Sequence, residues 1–258
     1  MLRPYIVSIM EQKYIKQFTS LGEFIKKLGN AFFRWRSYIP LIILPILILR
    51  LNDLKHTFPN QCAEIIYQAF CLFISFSGEF VRIITIGFVP PGTSGRNTKA
   101  QRATALNTTG MYSITRNPLY LGNFLIILGI SVFTRSWQIV LINCVLFLLF
   151  YVPIILVEEN FLLSKFGERY SEYLSKAPCF FPRFRLWSSA ENSWSWGMVM
   201  RREYSSIFST VLSFVIIAHI RIYAIHGEIM ASVLWLVIGG VFLLMWLTVR
   251  ILRLLRKL

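Results

Sequence analysis

Acidic residues are scarce in this chain: 12 Asp and Glu stand against 27 Lys and Arg, a net charge of +15. Charge of either sign is thin as well. Only 15% of residues are charged while 55% are hydrophobic, against about 25% charged in ordinary soluble domains. The composition is that of a membrane protein. No nucleic-acid-binding motif accompanies the cationic excess, so nucleic acid is not an expected partner. In a membrane chain Lys and Arg gather on the cytoplasmic side and near anionic lipid. Cysteine is sparse too. Cys62, Cys71, Cys144 and Cys179 form no CxxC pair and no disulfide framework, and Cys71 and Cys144 fall inside apolar runs, which points to core packing and to no metal site. The Gly-x-Gly-x-x-Gly fingerprint of dinucleotide-binding folds is missing. No apolar region of signal-peptide type precedes residue 38, so a cleaved leader is not expected.

Long apolar runs are what the chain does have. Six stretches can span or nearly span a bilayer: Tyr38–Leu51, Ala63–Val89, Leu119–Phe133, Trp137–Val157, Ser206–Ile225 and Ala231–Val249. A perpendicular crossing takes about 20 residues, so the first and third are short. With six spans, 22 of the 27 basic residues fall on one face, which makes both termini cytoplasmic. The predicted fold is an all-α polytopic membrane bundle. Ahead of it, Ile6, Met10, Tyr14, Phe18, Leu21, Ile25 and Leu28 recur at helical spacing, as in an amphipathic helix lying on the cytoplasmic leaflet. Four segments follow: an interfacial arm over 1–37, two spans over 38–89, a core over 90–182, and a C-terminal loop with two spans and a basic tail over 183–258. Trp187, Trp194 and Trp196 suit an interfacial belt.

Two polar blocks interrupt the apolar runs. The first is Gly110-x-Tyr112-x-x-x-Arg116-Asn117-Pro118-x-Tyr120-x-Gly122. The second is Glu158-Glu159-x-x-Leu162-x-x-x-Phe166-Gly167-Glu168-x-Tyr170-x-x-Tyr173, with Pro178 and Pro182 beyond. Only Thr134-Arg135-Ser136 joins the third and fourth spans, which must form an antiparallel hairpin. Arg116 and Glu158 then sit at the two cytoplasmic ends of one hairpin. Ionisable groups at adjacent membrane exits suggest a site.

Together the two blocks resemble the paired signatures of the isoprenylcysteine carboxyl methyltransferases and related phospholipid methyltransferases, over roughly Thr104–Pro182. The resemblance implies an integral membrane enzyme that uses S-adenosyl-L-methionine without a Rossmann domain. It assigns cofactor contact to Thr104, Ala105, Leu106, Asn107, Tyr112, Asn117, Pro118, Leu119, Tyr120 and Glu158. Arg116 is expected to orient reacting charge, with Glu159 as its catalytic companion. These types suit the cofactor: a carboxylate pairs its ammonium, and the open first turn of a helix begun by Pro118 attracts its carboxylate.

The acceptor is expected to be a lipid or lipidated molecule. His56, His219 and His226 all fall at the opposite face, so an anionic acceptor that needs no general base, a carboxylate or lipid phosphate, is favoured over an amine. Arg96, Arg102, Arg201 and Arg202 are candidates to gather its head group. Ile154 and Asn117 stand where prenylcysteine enzymes carry Arg and His, which turns the reading away from a prenylcysteine acceptor. Amine-lipid N-methylation, an NADPH-dependent sterol-reductase-like activity and a non-catalytic adaptor are the alternatives. Elsewhere, Glu79 and Arg82, one helical turn apart, are expected to pair with each other. Tyr170 and Tyr173 are expected to pack a surface helix on the bilayer interface. Glu64, Asn143 and His219 read as structural.

Overall fold

The structure is a computed structural model that describes residues 22–36, 43–90 and 103–255. Among these residues there is no strand. Helix α1 covers 22–35. It is followed by α2 (Ile43–Leu49), a 3-10 turn (Leu51–Lys55), α3 (Gln61–Gly87), the single turn α4 (Met111–Ile114), α5 (Pro118–Phe133), α6 (Trp137–Phe166), α7 (Glu168–Lys176), α8 (Trp196–His226) and α9 (Val233–Leu254). The fold is a polytopic helical bundle.

Local chemistry starts and stops the long helices. Asn60 accepts from the Ala63 N–H at 2.7 Å ahead of α3. Ser136 and Ser195 accept from Ile139 (3.4 Å) and Met198 (3.2 Å) ahead of α6 and α8, each satisfying one of the orphan donors of a first turn. α8 ends on Gly227 in the left-handed region, φ 76, a conformation that glycine adopts without strain.

Among the described residues four helices, α3, α6, α8 and α9, are long and apolar enough to cross a membrane. The expected six spans are not all of that kind. The expected third is the 16-residue α5, about 24 Å long at the rise of an α-helix and short of the roughly 30 Å hydrocarbon core. The described part of the expected first span is the seven-residue α2 and the 3-10 turn; residues 38–42 lie outside the described residues. Leu51-Asn52-Asp53 breaks the apolar run there. Exposed Leu, Val and Met along α6 and α9, such as Leu148, Val152, Leu236 and Leu244, are the surface that hydrocarbon would cover.

The tightest helix pair is α3 with α5, made by small residues. An ideal Cβ on Gly78 would lie 2.5 Å from the Gly122 carbonyl oxygen, and one on Gly129 would lie 2.3 Å from Ser75 Oγ. Small residues let membrane helices approach backbone to backbone. Ser75 uses that proximity to donate to the Ile126 carbonyl at 3.0 Å. The pair is antiparallel, since 78 faces 122 and 71–75 faces 129.

One end of the bundle is stapled by charge. Arg135 pairs with Glu64, and the guanidiniums of Arg135 and Arg221 both donate to the His56 carbonyl at 2.9 Å. Asn143 donates to Ser131 Oγ at 2.6 Å, and His219 bonds the Val215 carbonyl at 2.8 Å. Glu64, Asn143 and His219, read as structural from the sequence, each bond within the bundle. The opposite end receives Arg82, Arg116, Glu158 and Glu203. It is closed on one side by α1, which differs from the expected leaflet helix. Residues 1–21 of that arm lie outside the described residues, but Phe33 is buried in a cluster with Tyr120, Phe147, Tyr151 and Ile154. Gly29 comes so close to α6 that a Cβ would lie 2.4 Å from the Pro153 oxygen. Of the expected stripe only Ile25 and Leu28 are among the described residues, both half-buried.

The α3–α5 contact gives a direct test. Gly78→Leu is expected to lower stability by about 1–3 kcal/mol through overpacking, seen as a lower thermal midpoint of the detergent-purified protein. Gly240→Ala, where a Cβ meets nothing within 4 Å, is expected to leave the midpoint unchanged.

Candidate active site

The two polar blocks lie side by side at this end. The Arg116 N–H donates to the Pro178 carbonyl and the Arg183 N–H to the Ile114 carbonyl, both at 2.9 Å. Thr115 Oγ1 donates to the Phe180 carbonyl at 3.0 Å, and Asn117 Nδ2 donates to the Cys179 carbonyl at 2.9 Å. Tyr173 adds a bond from its hydroxyl to the Tyr112 carbonyl at 2.7 Å. Arg116 is the central fastener. Its Nε donates to Glu159 Oε1 at 2.9 Å, and its Nη1 donates to the Leu174 and Ala177 carbonyls at 3.0 and 2.9 Å. A cation set on the last carbonyls of α7 satisfies acceptors that a helix leaves open and complements the helix dipole.

Around these blocks lies a cavity of about 660 Å³. Its walls come from α1, the 103–107 segment, α4, both ends of the α5–α6 hairpin, α7, and the site-end halves of α3 and α8. Three Arg–Glu pairs ring it, each joining different elements. Arg36 of α1 meets Glu158 at 3.4 Å, Arg116 meets Glu159 at 2.9 Å, and Arg82 of α3 meets Glu203 of α8 at 2.8 Å. Arg82 also donates to Asn123, and its stem crosses Gly122, where a Cβ would lie 2.5 Å from Arg82 Cγ. The motif glycine therefore admits a neighbouring arginine as well as a neighbouring helix.

Most of the expected site residues line this one cavity: Ala105, Leu106, Asn107, Tyr112, Arg116, Asn117, Pro118, Leu119, Tyr120, Glu158, Glu159 and Arg202. Thr104 is exposed and off the lining. Arg201 is exposed and donates to the Gly197 carbonyl at 3.0 Å, one turn back on its own helix. Arg96 and Arg102 lie outside the described residues. Two expectations are corrected. Arg82 does not pair with Glu79: the carboxylate it meets comes from α8, and Glu79 accepts from Ser206 and Thr210 instead. Tyr170 and Tyr173 do not lie on the bilayer interface; both are buried against Leu106 and Leu162 and line the cavity. Burial pushes both phenols above their ordinary range, so they are neutral hydroxyls at physiological pH. Sequence reasoning also missed Phe33, Arg36, Asn123, Tyr151 and Glu203. Glu203 carried a signal, as an acid at the start of a span, but its partner lies 121 positions away.

Arg116 is buried, which works against its charge, but the Glu159 carboxylate outweighs that and holds its pKa above the ordinary value. It is a fixed cation. Glu158 differs. Its pair is the longest of the three, and its side chain keeps 29% of its surface open. It lines the cavity together with the first turn of α5, which has Pro118 at its start.

Comparison with known proteins matches this region. Residues 92–169 fit the model of the phospholipid methyltransferase family. The similarity to that family covers under a third of the chain. The chain is 40% identical over 90 residues to the cobalt-zinc-cadmium resistance protein of Cupriavidus metallidurans, covering 35% of this chain and 41% of that one. It is 38% identical over 89 residues to the nickel-cobalt-cadmium resistance protein of Alcaligenes xylosoxydans xylosoxydans, covering 34% and 41%. It is 28% identical over 120 residues to the protein-S-isoprenylcysteine O-methyltransferase of Schizosaccharomyces pombe, covering 45% and 50%. The chain thus spans half or less of the length of these relatives. No solved structure matches it. Among the described residues no three His, Cys, Asp or Glu side chains are grouped to hold a metal. The matched residues take in the first polar block and the α5–α6 hairpin with Glu158 and Glu159; α1, α2, α3, nearly all of α7, α8 and α9 lie outside them.

Cys179 reports on the electrostatics of this corner. Burial pushes its thiol above 9.0, and the Glu159 carboxylate adds to the rise. A raised thiol pKa means less thiolate at any given pH. Alkylation of Cys179, followed by peptide mass spectrometry after timed iodoacetamide exposure, is expected to be slower at pH 8 than that of an unstructured cysteine peptide and to climb steeply above pH 9. Glu159→Gln is expected to speed it at pH 8. A rate equal to the peptide's would contradict the geometry.

Proposed function

We propose that this protein is an S-adenosyl-L-methionine-dependent methyltransferase that modifies an amphiphilic acceptor at the membrane. The observation that carries the reading is that the half-buried Glu158 carboxylate and the first turn of α5 line one cavity. That pairing suits a ligand with an ammonium and a carboxylate at one end. A volume of about 660 Å³ is ample for a cofactor and the reacting part of an acceptor. When bound, S-adenosyl-L-methionine supplies a methyl group already activated by its sulfonium.

What remains for this chain is positioning and exclusion of water. Glu158, Asn107 and the Asn117–Tyr120 turn would hold the cofactor. Arg116 has its donors occupied by Glu159 and two carbonyls, so it and Glu159 act as positioning residues that keep the two blocks together. Buried Tyr170 and Tyr173 wall the cavity from water.

The acceptor reading rests on charge. His56 and His219 belong to the opposite end of the bundle, as does His226 at the last residue of α8. Glu159 is engaged with Arg116, and no histidine is among the described residues that line the cavity. An acceptor already anionic at neutral pH, a lipid phosphate or carboxylate, needs no general base. The described lining holds Arg36, Arg82, Arg116 and Arg202 against Glu158, Glu159 and Glu203, which favours an anion. The concentration of basic loops at this end supports a cytoplasmic site.

Glu158→Lys is expected to abolish binding of S-adenosylhomocysteine by the purified protein and to stop transfer of label from radioactive S-adenosyl-L-methionine into the lipid fraction of membranes, with membrane insertion intact. Unchanged transfer would refute the cofactor assignment, and label appearing mainly in amine lipids would refute the acceptor class.

A further inference from the structure

The chain between α7 and α8 lies outside the cavity, whose described lining passes from Tyr173 to Arg202. Residues 178–191 run instead as a strap over the first polar block. The Arg116 N–H donates to the Pro178 carbonyl and the Arg183 N–H to the Ile114 carbonyl, both at 2.9 Å. The Gly110 N–H donates to the Ser188 carbonyl and the Ser188 N–H to Ser113 Oγ, both at 3.0 Å. Phe180 turns inward onto Phe124 and Phe147, with ring centroids 5.8 and 6.0 Å away. The strap's backbone is thus spoken for on its inner side.

Its level is set by the helices to which it is tied. Pro178 bonds just ahead of α5. Past the strap, the Ser195 N–H donates at 2.9 Å to the carbonyl of Gly87, the last residue of α3. Trp196 then opens α8. Both α3 and α8 are long and apolar enough to cross a membrane, so the plane in which one ends and the other begins is a bilayer exit. The strap lies along that plane.

Its outer side carries rings and cations in alternation. Phe181, Phe184 and Trp187 are 79%, 73% and 51% exposed, more apolar surface than water favours on one short segment. Arg183 and Arg185 stand between them, both exposed, and no acidic residue occurs between Glu172 and Glu191. Aromatic rings at head-group depth, with arginine stems lying along apolar surface and their heads on phosphates, suit a membrane interface. The unbalanced charge favours an anionic one. It disfavours a second copy of the chain, which would set these arginines against their own kind in a two-fold contact.

We infer that residues 181–187 are an interfacial anchor that seats on anionic head groups of the leaflet at this end. Seating steadies the first polar block through the backbone bonds behind it. The lipids held here are partners outside the cavity, and the inference stands apart from the methyltransferase reading.

The test places the full chain in nanodiscs and reads hydrogen–deuterium exchange by mass spectrometry. The peptide over 181–190 is expected to exchange about tenfold or more slowly with phosphatidylglycerol present than in phosphatidylcholine alone, and the peptide over 109–116 to slow with it. Arg183→Gln/Arg185→Gln, which leaves the backbone bonds in place, is expected to exchange with phosphatidylglycerol as the wild type does without it. Lys55→Gln, at the opposite end of the bundle, is expected to behave as wild type in both. Equal wild-type exchange in the two lipids, or slowing that the double arginine variant keeps, would overturn the anchor. So would protection confined to discs that hold two copies of the chain. A slowed strap over an unchanged 109–116 would overturn its link to the polar block.

Discussion

The fastening of Arg116 to Glu159 and to the end of α7 is the interaction on which the rest of the site depends. Its Nε holds the acid at the end of α6 and its Nη1 holds two carbonyls at and just past the last turn of α7, so one side chain joins both polar blocks. It works beside the backbone bonds of Arg116 and Arg183 and the Tyr173 bond to the Tyr112 carbonyl, and adds a charged link between the two blocks.

The same device recurs around the cavity with other partners. Each of three carboxylates meets an arginine from a different element. A lone charge in a low-dielectric setting is strongly unfavourable, whereas a well-made pair is near neutral against an apolar replacement. The gain is less stability than placement: a pair that spans elements fixes which helices meet, and where. The ring also grades its members. The Arg116 and Arg82 pairs are short and bonded on further sides, while the Arg36 pair is long and partly open. The weakest member is the one that the proposed cofactor's ammonium would meet.

Much of this was legible from residues alone. The polar blocks stood out because ionisable groups are rare in apolar surroundings, and a three-residue turn between two apolar runs forced Arg116 and Glu158–Glu159 to one end. Partner choice was not legible. Glu79 and Arg82 share a helix face, so they read as a pair, yet Arg82 takes Glu203 from a helix far away in sequence. Tyr170 and Tyr173 define the apolar face of α7, but no periodicity says whether that face meets lipid or protein; the Tyr173 bond to the Tyr112 carbonyl settles it. The α1 stripe had the same ambiguity, and Phe33 turns it toward α6. The expected first span is described only from residue 43, as α2 and the start of the 3-10 turn at Leu51.

A double-mutant cycle on Arg116 and Glu159 tests the central fastening most directly. Thermal unfolding of Arg116→Gln, Glu159→Gln and the double variant yields their coupling, and the account expects a favourable coupling energy on the order of 1–3 kcal/mol. Strictly additive losses, with coupling near zero, would contradict it.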